Sequence, residues 1–304
     1  MRKPNAIPGG GQMPLDRAKN KKPNATSYSS QGSLNAIMAS RSKLKSNTVS
    51  SDKAMQYAGG FDESATGTSG TSIFDPVLCE LIYRWFCPPG GLVLDPFAGG
   101  SVRGIVASKL GRKYVGVDLS ARQVEANRVQ AAEIFNGDPP TWHIGDSREI
   151  ETICPNVRAD LLFSCPPYAD LEVYSDDQRD LSTMPYPIFL KAYNEIIKKN
   201  CNMLKDDRFA CFVIGEVRDS SGHYYQLVPD TIKAFTACGL KYYNEAILVT
   251  SVGSLPIRVG RQFKSGRKLG KTHQNVLVFI KGDAKKATTE IGDVEFGEIN
   301  GPEG

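Results

Sequence analysis

The chain has 304 residues, 40% of them hydrophobic and 23% charged, with a formal net charge of +4, an ordinary balance that allows one large α/β domain with tails. No apolar run approaches the roughly 18 residues of a membrane span, and the N-terminus lacks a signal-peptide core, so no membrane partner and a cytoplasmic location are expected. Seven scattered cysteines without a CxxC pair, beside only three histidines, argue against a disulfide framework and against a metal site. Charge is uneven along the chain. Residues 1–53 carry ten Lys/Arg against Asp16 and Asp52, a net +8, which leaves −4 for the rest. Residues 1–70, rich in Ser, Gly, Asn and Lys, are expected to form a disordered basic arm, with one short apolar stretch at 34–38.

Regular elements are expected between residues 71 and 282. An amphipathic helix over 76–86 is stopped by Cys87-Pro88-Pro89-Gly90-Gly91. A strand at 92–97, a glycine-containing turn and a helix at 102–110 follow. Next come a strand at 114–119, a helix at 121–135, strands at 142–145 and 161–165, and a helix at 187–204. A strand at 209–215, a helix at 227–238 and strands at 245–250 and 275–280 complete the series. Strands alternating with helices predict an α/β fold, a doubly wound and mostly parallel seven-stranded sheet. The last strand is reached through a loop, so it is expected to run antiparallel beside its predecessor. From Asp283 onward, six acids and two lysines suggest a flexible acidic tail over 283–304.

In such a sheet the ligand lies beyond the carboxyl ends of the strands, at the switch point. The first strand ends in Asp95-Pro96-Phe97-Ala98-Gly99-Gly100-Ser101, whose glycines let backbone approach a ligand closely. The second ends in Asp118, placed for ribose hydroxyls, and the third in Gly145-Asp146, placed for an adenine amino group. Three carboxylates on successive strand ends, without a lysine to grip phosphate, suit an adenosine joined to an amino acid. Residues 94–104 resemble the cofactor loop of the amino-methylating DNA methyltransferases, Asp-Pro-Phe-Ala-Gly followed by a small residue and a second glycine. Ser101 stands where that second glycine is usual. The resemblance implies a Rossmann-like class I methyltransferase fold and S-adenosylmethionine as cofactor. Phe97, Ala98, Gly99 and Gly100 would line it. Asp95 would face its methionine end, Asp118 its ribose and Asp146 its adenine. Phe74 and Asp75 match the family's additional cofactor-contacting segment.

The fourth strand runs into Ser164-Cys165-Pro166-Pro167-Tyr168. It is similar to the family's catalytic tetrapeptide, an Asp, Asn or Ser followed by Pro-Pro-Tyr. An amino group on adenine or cytosine is a poor nucleophile because its lone pair is delocalised into the ring. Acceptors placed on its hydrogens draw that pair back onto nitrogen. Pro166 presents a rigid carbonyl for this purpose, and Tyr168 can stack on a base swung out of its helix. Cys165 departs from the pattern, since sulfur accepts weakly; Ser164 or Asp170 would then supply the second acceptor. The same departure leaves open ring-carbon methylation of cytosine, with Cys165 as thiolate nucleophile and Glu216 as the supporting acid. The polar segment 169–184 is expected to be a mobile lid.

Before the last strand, Arg258, Arg261, Lys264, Arg267, Lys268 and Lys271 occur without an intervening acid, a loop suited to a phosphate backbone. DNA is the expected partner. The order of motifs, cofactor loop before catalytic turn, is shared with some RNA base methyltransferases, so RNA stays open. A nucleic-acid-binding scaffold with a dead cofactor site is the rival from another class.

Overall fold

The computed structural model describes residues 74–168, 174–250 and 255–294; the basic arm and Asp170 lie outside them. The leading helix α1 (Pro76–Phe86) begins where expected, because Asp75 Oδ1 accepts from the backbone of Val77 at 2.8 Å and Leu78 at 3.3 Å. It buries Cys79, Ile82 and Tyr83, three and four residues apart. Then β1 (Leu92–Asp95), α2 (Val102–Lys109), β2 (Lys113–Asp118), α3 (Ala121–Ile134) and β3 (Thr141–Ile144) form the first half. The second half comprises a one-turn helix α4 (Ile150–Ile153), β4 (Ala159–Ser164), α5 (Tyr186–Met203), β5 (Leu204–Ile214), α6 (Leu227–Ala237) and β6 (Lys241–Val249). It ends with α7 (Leu255–Gly266), β7 (His273–Lys281) and α8 (Ala284–Ile291).

The seven strands lie in the order β3-β2-β1-β4-β5-β7-β6. Pairs among β3, β2, β1, β4 and β5 are parallel, whereas β7 runs antiparallel to both β5 and β6. The doubly wound sheet with an antiparallel last strand is therefore as expected. Insertion of β7 between β5 and β6 was not foreseen. It leaves β6 as an edge strand, with Ile247 and Val249 exposed. All six residues of β4 are buried, as befits a central parallel strand covered on both faces. One face packs Phe189, Tyr193, Ile196 and Phe235 of α5 and α6; the other packs Cys79, Tyr83, Val106 and Ala131 of α1, α2 and α3.

Three expectations are corrected. Helix α7 occupies most of the region read as a basic loop, because Leu255, Val259 and Phe263 recur every four residues between the cations. Arg267 ends it at φ 55°, with its N–H bonded to Phe263 O at 2.9 Å. The first part of the expected acidic tail, residues 284–291, is a helix. Asp283 caps α8, which buries Ala287 and Ile291, and Glu290 pairs with Arg208. Within the presumed lid, Leu181, Ser182 and Met184 are buried against the body. The apolar side chains of Leu181 and Met184, diluted by acids in the sequence, join the core that holds Phe189, while Ser182 bonds Asp180.

Candidate active site at the switch point

β1 has β2 on one side and β4 on the other, so the chain order reverses between β1 and β4 and a crevice opens above their carboxyl ends. The bend from Asp95 to Ser101 leaves β1 here. Its backbone is held from every side. Ala98 N–H donates to Val117 O at 3.0 Å, Gly99 N–H to Asp118 Oδ2 at 2.7 Å, and Asn127 Nδ2 to Gly99 O at 2.7 Å. Ser147 Oγ reaches Pro96 O at 2.5 Å. Gly99 adopts φ +48°, which a side chain rarely tolerates. Gly116 on β2 is equally necessary, since a Cβ there would stand 2.8 Å from that of Ala98. Ser101 in place of a second glycine is accommodated. Its φ is −69°, and its hydroxyl bonds Gln130 of α3.

Beneath the bend lies a buried ionic cluster. Asp95 is wholly inaccessible and accepts four donors: Arg103 Nε at 2.6 Å, Tyr114 Oη at 2.8 Å, Ser164 Oγ at 2.5 Å and Phe97 N–H at 3.1 Å. Arg103, 5% exposed, also donates to the carbonyls of Phe97 at 2.5 Å and Ala98 at 3.0 Å. Burial alone would lower the pKa of this guanidinium, but Asp95 beside it raises it above the usual range, so Arg103 stays charged. Burial pushes the Tyr114 hydroxyl well up, keeping it a donor. Two expectations change accordingly. A carboxylate with no exposed surface and four donors has no place for the amino group of a ligand, so Asp95 frames the bend from below. Ser164, fully buried and committed to Asp95, does not reach a base.

Other expected residues fall into two groups. Asp118 is half-buried at the crevice; besides Gly99 it accepts from Ser120 N–H at 2.8 Å, and burial raises its carboxyl pKa. Phe97, Ala98, Gly99 and Gly100 form the bend itself. Asp146 caps the turn after β3, and its oxygens are taken by the Arg148 N–H at 2.8 Å and guanidinium at 2.6–3.1 Å. Phe74 does not stand alone at the crevice; it packs edge-on to Phe163, ring centroids 5.7 Å apart, and lies 4.7 Å beneath the Arg103 guanidinium. Residues 165–168 leave β4 at the same end of the sheet. Pro166 is buried, Cys165 and Tyr168 are half-buried, and Cys165 Sγ lies 3.6 Å from Tyr168 Oη. Gln274 of β7 donates to that hydroxyl. Glu216 Oε1 accepts from Val228 N–H at 3.0 Å and so caps α6.

Of the basic residues, Arg261, Lys264 and Arg267 are exposed, and Lys268 and Lys271 are half-buried; nothing is described of the Arg258 side chain. β6 ends and β7 begins at the edge where β4 and β5 end, so the segment between them joins the crevice side. Sequence reading missed Arg103, Tyr114, Asn127, Ser147 and Gln274. Only Arg103 left a trace, a lone cation within the small and apolar run Val102–Ala107.

The crevice fits a ligand of the expected kind. A Cβ added at Gly100 would meet no atom within 4 Å, so the bend borders open space. The donors and acceptors around it are backbone amides and carboxylates, suited to hydroxyls and amines. Fold and bend together define a Rossmann-like class I methyltransferase, whose cofactor is S-adenosylmethionine. Residues 71–129, which include α1, the bend and Asp118, match the family model of the N6/N4 DNA methylases, the amino-methylating family that the cofactor loop resembles. Among solved structures, TrmN from Thermus thermophilus is 16% identical over 68% of this chain and 48% of its own, with a TM-score of 0.45. The chain thus spans about half the length of that protein. Magnesium protoporphyrin IX methyltransferase from Synechocystis is 14% identical over 78% of this chain and 100% of its own, TM-score 0.44. A methyltransferase from Pyrococcus furiosus is 13% identical over 83% and 100%, TM-score 0.46. At these values the likeness is one of general fold plan.

Proposed function

We propose that this protein methylates an exocyclic amino group of adenine or cytosine in DNA. One observation carries the reading: the Ser164–Asp95 hydrogen bond of 2.5 Å, which fastens the strand bearing the diproline turn to the floor of the glycine bend. S-adenosylmethionine, when bound, supplies a methyl group activated by its sulfonium. Asp118, oriented by the Gly99 N–H, accepts from the ribose hydroxyls. Asp146 accepts from the adenine in exchange for part of its hold on Arg148. Across the crevice, the Pro166 carbonyl accepts a hydrogen of the target amino group and restores its lone pair to nitrogen. Tyr168, its hydroxyl fixed by Gln274, supports the unstacked base; such stacking is worth about 1–3 kcal/mol. Much of the rate comes from bringing nitrogen and methyl into line within one rigid frame. Arg258, Arg261, Lys264, Arg267, Lys268 and Lys271 lie along the phosphates. One oxygen of Glu216 caps α6 through Val228 N–H and the other is buried without a hydrogen-bond partner, so the choice between amino and ring-carbon chemistry falls to the product analysis.

The test is nucleoside analysis. Unmethylated DNA incubated with the protein and isotope-labelled cofactor, then digested, should yield label on the amino nitrogen of deoxyadenosine or deoxycytidine. Tyr168→Ala should reduce that yield by two or more orders of magnitude while cofactor affinity stays within about twofold. Label found only on a cytosine ring carbon, or only in RNA nucleosides, would overturn the proposal.

A further inference from the structure

Beyond β5 the chain makes a small antiparallel hairpin that none of the roles above uses. Tyr225 N–H bonds Val217 O at 3.0 Å, Asp219 N–H bonds His223 O at 2.8 Å, and Arg218 pairs with Tyr224 between them. Alternation then sorts the side chains. Val217 is buried, and Tyr225 stacks on Tyr186 of α5, ring centroids 4.4 Å apart at 10°. Arg218 and Tyr224 share the opposite face. The Arg218 guanidinium sits 3.9 Å from the Tyr224 ring centroid and donates to Gly222 O at 2.8 Å, while 42% of Tyr224 remains exposed. At the tip, the Asp219 carboxylate is turned onto Ser221 Oγ at 2.6 Å and His223 N–H at 2.9 Å.

The hairpin also meets the basic segment. Gly222 is buried at φ +92°, and a Cβ there would overlap Lys268 Nζ and Cε, so the end of the lysine side chain fills the space that glycine leaves. Hairpin and basic segment therefore make one continuous surface. That surface continues to the candidate active site, because β7 begins two residues after Lys271 and its Gln274 holds Tyr168. A tyrosine pinned by an arginine, beside lysine and arginine side chains at the rim of a base-methylating crevice, suits a nucleobase whose phosphates lie on the neighbouring cations.

We propose that Tyr224, backed by Arg218, is a stacking platform for a nucleobase flanking the target, so that the 217–225 hairpin forms a second wall of the nucleic-acid site. This inference rests on the nucleic-acid reading above. Stacking is independent of counterion release, whereas a lysine on phosphate is not, and this difference provides the test. Binding of a fluorescein-labelled DNA duplex, and of an RNA stem-loop of matching sequence, is titrated over a range of salt with the cofactor present. Tyr224→Ala should weaken binding about tenfold with an unchanged salt slope, and Tyr224→Phe or Tyr224→Trp should restore it. Lys268→Ala should instead lower the slope by about one. Equal cofactor affinity in all variants shows that the fold is retained. Wild-type binding and amino methylation with Tyr224→Ala equal to wild type would overturn this inference alone. Absence of binding to either nucleic acid by the wild type would overturn it together with the reading it rests on.

Discussion

The glycine bend and the diproline turn leave the same end of two neighbouring parallel strands, yet different partners hold them. From Asp95 to Ser101 the bend is fixed by bonds from β2, α2, α3 and the turn after β3. The bonds that hold the turn from Cys165 to Tyr168 include Ser164 on Asp95 just before it, the Cys165–Tyr168 contact within it and Gln274 on the Tyr168 hydroxyl. A site that recognises one invariant small molecule gains from a frame built in advance. Under the proposed function the turn admits a base swung out of a duplex, which needs an open side. Both ends of the difference meet in Asp95, whose carboxylate serves the bend through Arg103 and the turn through Ser164.

Breaking that shared point should have the largest effect. Asp95→Ala leaves the Arg103 guanidinium buried without its counter-charge, a loss of about 3–5 kcal/mol. Thermal unfolding should show a large drop, and calorimetry should show no cofactor binding. A variant that melts like wild type would refute the keystone role.

Asp118 tests the bend by itself. Its raised pKa means that the free protein takes up a proton there at a higher pH than an ordinary aspartate does. A ribose that donates to the carboxylate favours the ionised form, so cofactor affinity should fall as pH drops through that raised pKa and be full above it. Asp118→Asn should cost about tenfold in affinity and remove the acid dependence. A pH profile identical to that of wild type would dissociate Asp118 from the ribose.

The smallest effect belongs to Cys165. Cys165 lies beside the Tyr168 hydroxyl at 3.6 Å, and oxygen accepts better than sulfur. Cys165→Ser should keep turnover within about threefold or raise it, because amino methylation needs no thiolate. Complete loss, measured by the same nucleoside assay, would point to a covalent intermediate and to the ring-carbon alternative.

Much of this was visible beforehand where the signal was local. The strand-glycine-helix passage at 92–109, the helix over 76–86 and the paired prolines each involve residues within a few positions of one another. Ser164 and Asp95 were both picked out, but as ligand-facing groups; their mutual bond spans 69 positions and left no local mark. The basic region was identified by charge, yet its helix was overlooked because the cations masked the period of Leu255, Val259 and Phe263. The hairpin at 217–225 was missed entirely, since a bridge that short has too few residues to show alternation.

The alternation of strands and long helices from α1 to β6, the position of the glycine bend, the rigidity of residues 166–167 and the charge near the last strand were settled by the amino-acid sequence, because each depends on backbone preference or periodicity among neighbours. Which carboxylates remain available was settled only by the fold. Oxygen atoms accept a limited number of hydrogen bonds, and for Asp95 they are claimed by Arg103, Tyr114 and Ser164 from 8, 19 and 69 positions away. Placement of β7 between β5 and β6 was likewise a tertiary outcome, and it brings Gln274 onto Tyr168 from 106 positions away.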